Sequence, residues 1–432
     1  MPDISSLNEL IAQLNAPAKE SRLAALGEIA RMTRAGLLPA PVPCGSVNNH
    51  IHTTYSFSPY SPAKAVYMAW QAGLTTAGIM DHDSVGGAVE FIEAGKLAGI
   101  STTVGLECRV DMFGTPLYGR RINNPDQDSC AYLALHGIPH QNIAMISNFF
   151  EPFRRSRLLR DARMCERIDA MVRPFGLSLD FERDVLPISQ SADGGSVTER
   201  HILFALTGKI IEKYDTPDAV IALLQALGIA VSEKQQATLR ACEPGLYGYD
   251  ILNILKSGMV EKFYIDAIDE CPHVTDFIKL ARASGAVSAY SYLGDVGDSV
   301  TGDKKVQKFE DDYLDELFDV ITRLGFDAVT YMPTRNTSAQ LARVIGLCRE
   351  HGFFQISGED INQPRQSFVC RAYEKPEYAH LIDSTWTLIG HELAATADIG
   401  DAMFSEKTKR AMPGLDERVA HYNALAREAA GR

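Results

Sequence analysis

The sequence predicts an α/β fold of the barrel type, with a helical insertion and helical additions at both ends. Three observations carry that expectation. Short apolar stretches that look like buried strands alternate with amphipathic helical patterns, once before and once after a central segment, as in β/α architectures. Three of these stretches in succession end in polar residues, HIH at 50–52, MDHD at 80–83 and VGLE at 104–107, where the backbone would leave a sheet. Residues 150–257 lose the strand alternation and read as mostly helical.

Taken in order, residues 4–36 place Leu7, Leu10, Ile11 and Leu14, then Leu23, Leu26, Ile29 and Ala30, at helical spacing, which predicts two amphipathic helices with a turn near Pro17. The Pro-rich stretch 37–45 then forms an extended linker. After HIH, Ser61 caps a helix that has Pro62 at its first position and Gly73 past its end, and a second helix runs from about Val85 to Ala98. A further apolar run, AYLAL, leads to His136. Within the helical segment Thr198 is the expected cap of a helix carrying Ile202 to Ile211. Three more strands are expected within 285–295, 326–336 and 353–364, separated by helices from about Phe309 to Leu324 and from Ser338 to His351. The chain closes with an apolar cluster around Leu381, Ile382, Trp386, Leu388 and Ile389 and an amphipathic helix over 415–430. The expected division is therefore 1–45 as a helical extension and linker, 46–149 with 258–375 as the barrel, 150–257 as the insertion, and 376–432 as a C-terminal helical extension.

The chemistry sits at the first three strand ends. Residues two apart on an extended strand face one side, so His50 and His52 can present ring nitrogens to one point, which suits a metal ion. In MDHD, His82 has a carboxylate on each side, and a carboxylate bonded to a ring nitrogen fixes the tautomer of a ligating histidine. Asp81 and Asp83 are the candidates for that role. The third stretch ends in Glu107.

In that order and near that spacing, HIHTTYS, MDHDS and GLE resemble the first three motifs of the PHP (polymerase and histidinol phosphatase) metal-dependent phosphoesterases, over roughly residues 46 to 375. The resemblance implies a distorted (β/α)7 TIM-like barrel with a cluster of up to three divalent ions at the C-terminal ends of its strands. It implies a first metal held by His50, His52, Glu107 and Asp360, all present here. Other positions depart from the family pattern. A histidine near the fourth strand corresponds to Tyr132, leaving His136, or failing that His140, to take over its role; the histidine after the next strand corresponds to Tyr290; the last Asp-x-His reads Asp360 and Asn362; an early aspartate reads Phe57. The departures imply one strong divalent site, for Zn, Mn or Fe, and a second weak one drawing on His82, Glu107, Asn362 or His136. VTERHILFAL resembles the inserted segment of some members, which makes Arg200 and His201 candidate phosphate contacts.

The expected activity is hydrolysis of a small-molecule phosphomonoester or phosphodiester by metal-activated water, with His82, supported by Asp81 or Asp83, as ligand or proton donor. Arg120, Arg121, Arg200, Arg335 and Arg365 are candidates to neutralise charge on the phosphoryl oxygens, and Tyr290 offers a hydroxyl in place of a lost cation. Two other readings stay open, a metal-dependent C–N or C–O hydrolase on the same barrel and a degenerate metal- or ligand-binding module. A net charge of -13 argues against a nucleic-acid duplex as partner. No run approaches eighteen apolar residues, and the N-terminus lacks the pattern of a signal peptide. Eight cysteines without a CxxC read as reduced thiols of a cytoplasmic protein. The terminal helices leave homo-oligomerisation open.

Overall fold

The computed structural model of the chain describes residues 4–297 and 307–431. Its centre is a six-stranded sheet in the order β1 (Thr76–His82), β2 (Ser101–Asp111), β3 (Cys130–His136), β4 (Val287–Ser291), β5 (Ala328–Thr330) and β6 (Phe354–Ile356). β1 pairs with β2 in parallel, as do β4 with β5 and β5 with β6, but β3 runs antiparallel to both its neighbours. This reversal is the main departure from a uniform β/α repeat. Residues 112–129 between β2 and β3 contain no helix to carry the chain back to the starting edge, so the next strand pairs in the opposite sense.

HIH forms no strand of its own. Ile51 instead bridges both Ile79 and Ile361 in parallel, and the backbone N–H groups of Ile51 and His52 donate to Gly78 O at 3.0 Å and Ile361 O at 2.9 Å. The segment thus lies between β1 and the chain leaving β6, bonded on both sides. β4, β5 and β6 are shorter than the apolar patterning suggests, at five, three and three residues. The polar residues that follow each of them leave the ladder and line a cavity instead.

Cross-strand register assigns the two faces. Ala134, Ala289, Ala328 and Phe354 lie opposite one another in a row and share an apolar cluster with Met80, Leu388 and Tyr422. The neighbouring row, Leu133, Tyr290 and Val329, packs into the larger cluster with the outer helices. Because side chains alternate along a strand, the first row fixes which residues of each strand face inward.

Helices α1 (Ile4–Gln13), α2 (Lys19–Arg34), α3 (Pro62–Gln71) and α4 (Ala88–Ala98) cover one flank. Ser61 caps α3 as expected, its Oγ accepting from Lys64 N at 3.0 Å, and α2 is tied to α4 by a buried Arg22–Glu90 pair. α5 (Ile143–Val172), α6 (Glu199–Lys213), α7 (Pro217–Ala226), α8 (Glu233–Ala241) and α9 (Tyr247–Phe263) form a second apolar cluster, joined by Phe57 from the HIH loop. The two clusters meet across buried charge. Arg109 of β2 and Arg160 of α5 both reach Glu199 Oε1, at 3.0 and 2.8 Å, and Arg160 also reaches Glu270 at 2.5 Å. Each partner is paired, which matters because an uncompensated buried charge costs about 3–5 kcal/mol. α10 (Val274–Ser284), α11 (Leu314–Leu324) and α12 (Ser338–His351) flank the later strands. α13 (His380–Ala397), α14 (Glu406–Ala411) and α15 (Leu415–Ala429) follow, and α13 and α15 set Leu388 and Tyr422 against the inner row of alanines.

Below the loop after β4, Glu310 is fully buried and accepts from Leu293 N at 2.8 Å and from the Tyr290 hydroxyl at 3.2 Å. Burial pushes its pKa up to about 7, against the hydrogen bonds from Leu293 and Gly294. The folded carboxyl holds its proton to higher pH than the unfolded one, so this group favours folding below about pH 4.5 and that contribution is lost as pH rises toward 7. Glu310→Gln is expected to flatten the fall in unfolding free energy between pH 5 and pH 8 by up to about 3 kcal/mol. Urea unfolding at both pH values checks this; an unchanged slope refutes it.

Candidate metal centre and substrate pocket

Two overlapping sets of ligand atoms meet at the C-terminal end of β1, level with Glu107 in β2. His50, His52 and Asp360 form one set, and His52, His82 and Glu107 the other, with the ligand atoms of each within 4.8 Å of one another. Glu107 Oε2 lies 3.7 Å from His50 Nε2 and 3.3 Å from His82 Nδ1, while His52 Nε2 lies 3.3 Å from Asp360 Oδ1. His82 and Glu107 are cross-strand partners on the inner face, and the two bridges at Ile51 deliver the flanking histidines to the same place. Sequence-distant residues 50, 52, 82, 107 and 360 are thus brought together.

Burial holds the His82 pKa well below its ordinary value, reinforced by the charges of His52 and Arg157. The ring is neutral near pH 7 and has a lone pair to offer. Asp360 is held well below the usual carboxylate range despite burial, which pushes the other way, by His52, His50 and Arg200. A neutral imidazole beside an ionised carboxylate is the donor chemistry of a divalent cation site. A further observation favours that fit. His52 Nε2 and the Asp360 oxygen face each other at 3.3 Å, so one ion could take both as donors.

Asp81 and Asp83 do not support His82. Asp81 alternates with His82 along β1 and so points to the other face, where it accepts from Thr53 N at 2.7 Å, Thr53 Oγ1 at 2.6 Å and Ser56 Oγ at 2.6 Å. Asp83 has a positive φ of 53° that turns its carboxylate toward α5, where it pairs with Arg157 at 2.5 Å.

The cavity over the cluster has a volume of about 250 Å³. Tyr132, Ser291 and Thr330 line it from the inner face of β3 to β5, and Arg200, Lys256 and Arg335 line it as cations. Arg200 Nη1 donates to Asn362 Oδ1 at 2.9 Å, and Asn362 Nδ2 donates to Asp360 Oδ1 at 2.6 Å. These partners fix the amide orientation, since a guanidinium only donates and a carboxylate only accepts. Asn362 is therefore a link between Arg200 and Asp360, not a spare oxygen ligand.

Other expected residues lie elsewhere. His136 lies two residues beyond Ala134, the partner of Glu107, on a strand that runs backwards relative to its neighbours, so it sits about 7 Å further down the inner face and outside the cavity lining. It is 2% exposed, and burial lowers its pKa to about 3. His140 binds Glu392 at 2.9 Å. Tyr290 occupies the outward parity of β4 and meets Glu310, so the pocket-facing position is Ser291. Arg120 pairs with Glu316 at 2.7 Å, Arg121 with Asp128 at 2.7 Å, and Arg365 with Asp250 and Glu243 at 2.8 and 2.9 Å, all outside the cavity lining. His201 caps α6, its Nδ1 accepting from Thr198 N at 3.0 Å, which is why a histidine at the third helical position reads as a ligand in sequence. Lys256 on α9 and the 123–126 loop were not foreseen. No local motif marks Lys256, whereas strand parity from Ala289 could have found Ser291.

Fold and site together define an α/β protein with a histidine–carboxylate cluster at the strand ends of a curled sheet. Residues 48–173 match the PHP domain family, so the resemblance borne by HIHTTYS, MDHDS and GLE holds over that span. A solved structure from Bifidobacterium adolescentis, provisionally named a metal-dependent phosphoesterase, shares the fold with a TM-score of 0.50 and 18% sequence identity, covering 79% of this chain and 97% of its own. An amidohydrolase from Chromobacterium violaceum, with bound sulfate and no metal, gives a TM-score of 0.47 and 15% identity over 75% of this chain and 90% of its own. No curated protein matches the chain. Among the described residues, no helix is long and apolar enough to cross a membrane.

Proposed function

We propose that this protein is a metal-dependent hydrolase acting on a phosphoester of a small molecule. The observation that carries the reading is one cavity lined both by the cluster of His50, His52, His82, Glu107 and Asp360 and by the cations Arg200, Lys256 and Arg335. His50, His52, Asp360 and Glu107 would hold the first ion, and His82 would share Glu107 in a second, weaker position. A divalent ion bound there supplies a water of lowered pKa and polarises a phosphoryl oxygen.

The chain's own groups do the rest. Arg200 presents a planar set of donors suited to two phosphoryl oxygens, and its bond to Asn362 holds it at a fixed place beside Asp360. Lys256, at the exposed edge, has its pKa lowered to about 8 chiefly by the Arg200 charge. Tyr132 and Tyr292 wall the cavity against bulk water. A net charge of -13 makes this local concentration of cations more telling, since it is set against the sign of the whole chain. The same reading takes residues 48–52 as the seventh position that would complete the barrel, and the helices of 150–257 as an insertion that roofs it.

Metal analysis of purified protein after reconstitution is expected to show bound Zn, Mn or Fe, at one to two equivalents. The loaded protein should then release phosphate from members of a panel of phosphomonoesters and diesters. Bound metal with turnover only of amides or lactones would transfer the assignment to C–N or C–O hydrolysis, and no bound metal would remove both.

A further inference from the structure

The buried carboxylate of Asp81 lies behind HIH and reaches His52 through one serine. Asp81 is 0% exposed and accepts hydrogen bonds from Thr53 N, Thr53 Oγ1 and Ser56 Oγ. Ser56 is 1% exposed, and its Oγ also lies 3.1 Å from His52 Nδ1. A hydroxyl has one proton to give. At 2.6 Å from a carboxylate that proton goes to Asp81, because a carboxylate can only accept. Toward His52 the serine then offers only lone pairs, so Nδ1 must carry the ring proton.

That leaves Nε2, the atom that faces Asp360 at 3.3 Å, as the nitrogen open to an ion. We propose that Asp81 and Ser56 are positioning residues that keep a proton on His52 Nδ1, so that Nε2 is the nitrogen an ion takes. The chain of bonds runs Asp81, Ser56, His52, and its direction is dictated by the carboxylate end. The relay starts from the residue before His82 on β1 yet serves a different histidine, because adjacent strand residues face opposite ways. Thr53 completes the arrangement by filling the other carboxylate oxygen, which keeps Asp81 from rotating away from Ser56.

This proposal rests on the reading of His52 as a metal donor, and the experiment separates the two. The full chain is labelled with 15N-histidine and stripped with chelator, and the ring nitrogens of His52 are assigned with a His52→Gln variant. The expected result for the unaltered protein is a protonated Nδ1, a readout that needs neither metal nor activity. Ser56→Ala removes the acceptor, and Asp81→Leu frees the serine to donate to Nδ1; both are expected to move His52 toward the Nε2–H form and to weaken Co2+ binding by about 10- to 100-fold. Asp81→Asn keeps an acceptor oxygen for Ser56 and is expected to retain the native tautomer.

A bare Nδ1 on His52 in the unaltered protein overturns the relay, whether or not the variants fold. So does a tautomer that stays the same in Ser56→Ala. A relay that behaves as expected in a protein that binds no Co2+ or Zn2+ keeps the proposal and removes the metal reading of His52.

Discussion

Glu107→Ala is expected to yield a folded protein that retains less than a tenth of its bound divalent metal after dialysis and loses hydrolysis by about 10³-fold or more. One carboxylate oxygen, Oε2, stands 3.7 Å from His50 and 3.3 Å from His82, so this side chain is shared by both arms of the cluster. Its removal takes away the negative charge that the two imidazoles flank. A metal's contribution to the transition state is several kcal/mol, and about 4 kcal/mol corresponds to roughly 10³ in rate. The fold is expected to stand, because the carboxylate lies at the cavity wall with its side chain 13% exposed, and Leu106, its outward neighbour, carries the packing of β2. Metal analysis, phosphate release and a melting curve on the metal-free protein check the three parts. Full metal content with a rate within tenfold of the parent would show that the cluster is not the working centre.

Much of that centre was visible before any coordinates. HIH, MDHD and GLE are local patterns, and strand pleat with apolar flanks suffices to bring residues 50, 52, 82 and 107 to one rim. What sequence could not carry was strand direction and parity. Reading AYLAL as one more parallel strand put His136 at the rim, and the antiparallel course of β3 moves it down the inner face and leaves Tyr132 there instead. Reading Ala-Tyr-Ser one residue out of phase assigned Tyr290 a role that belongs to the position of Ser291. Arg120, Arg121 and Arg365 lie outside the cavity for another reason, while Arg200 and Arg335 line it. Five were candidates by type, but which guanidinium faces a cavity depends on distant partners such as Glu316 for Arg120 and Asp250 for Arg365, and no local pattern announces those. Asp81 shows the same limit from the other side, being buried and fully bonded one residue away from the histidine it seemed to serve.

Arg200→Ala is expected to lower kcat/KM for a phosphoester by about 10²–10³-fold, the loss typical of one aligned donor to developing oxyanion charge, while leaving metal content intact. The two outcomes separate because Arg200 reaches the cluster only through Asn362, which bonds Asp360 at 2.6 Å, and no ligand atom is removed with it. Arg200→Lys should recover little, since a single ammonium cannot reproduce two parallel bonds to phosphoryl oxygens. Lys256 provides an internal check. Its pKa is lowered first by the Arg200 charge, so removal of the guanidinium should let it rise toward the ordinary lysine value, detectable as a slower reaction with an amine-directed reagent near pH 8. Arg120→Ala and Arg365→Ala, whose partners hold them outside the cavity, should change kcat/KM by less than about twofold, because exposed pairs of that kind contribute only about 0–1 kcal/mol even to stability. If Arg200→Ala retains full kcat/KM while Arg120→Ala loses it, the substrate approaches from the side of the 112–129 loop and the cationic wall has been placed on the wrong face of the cluster.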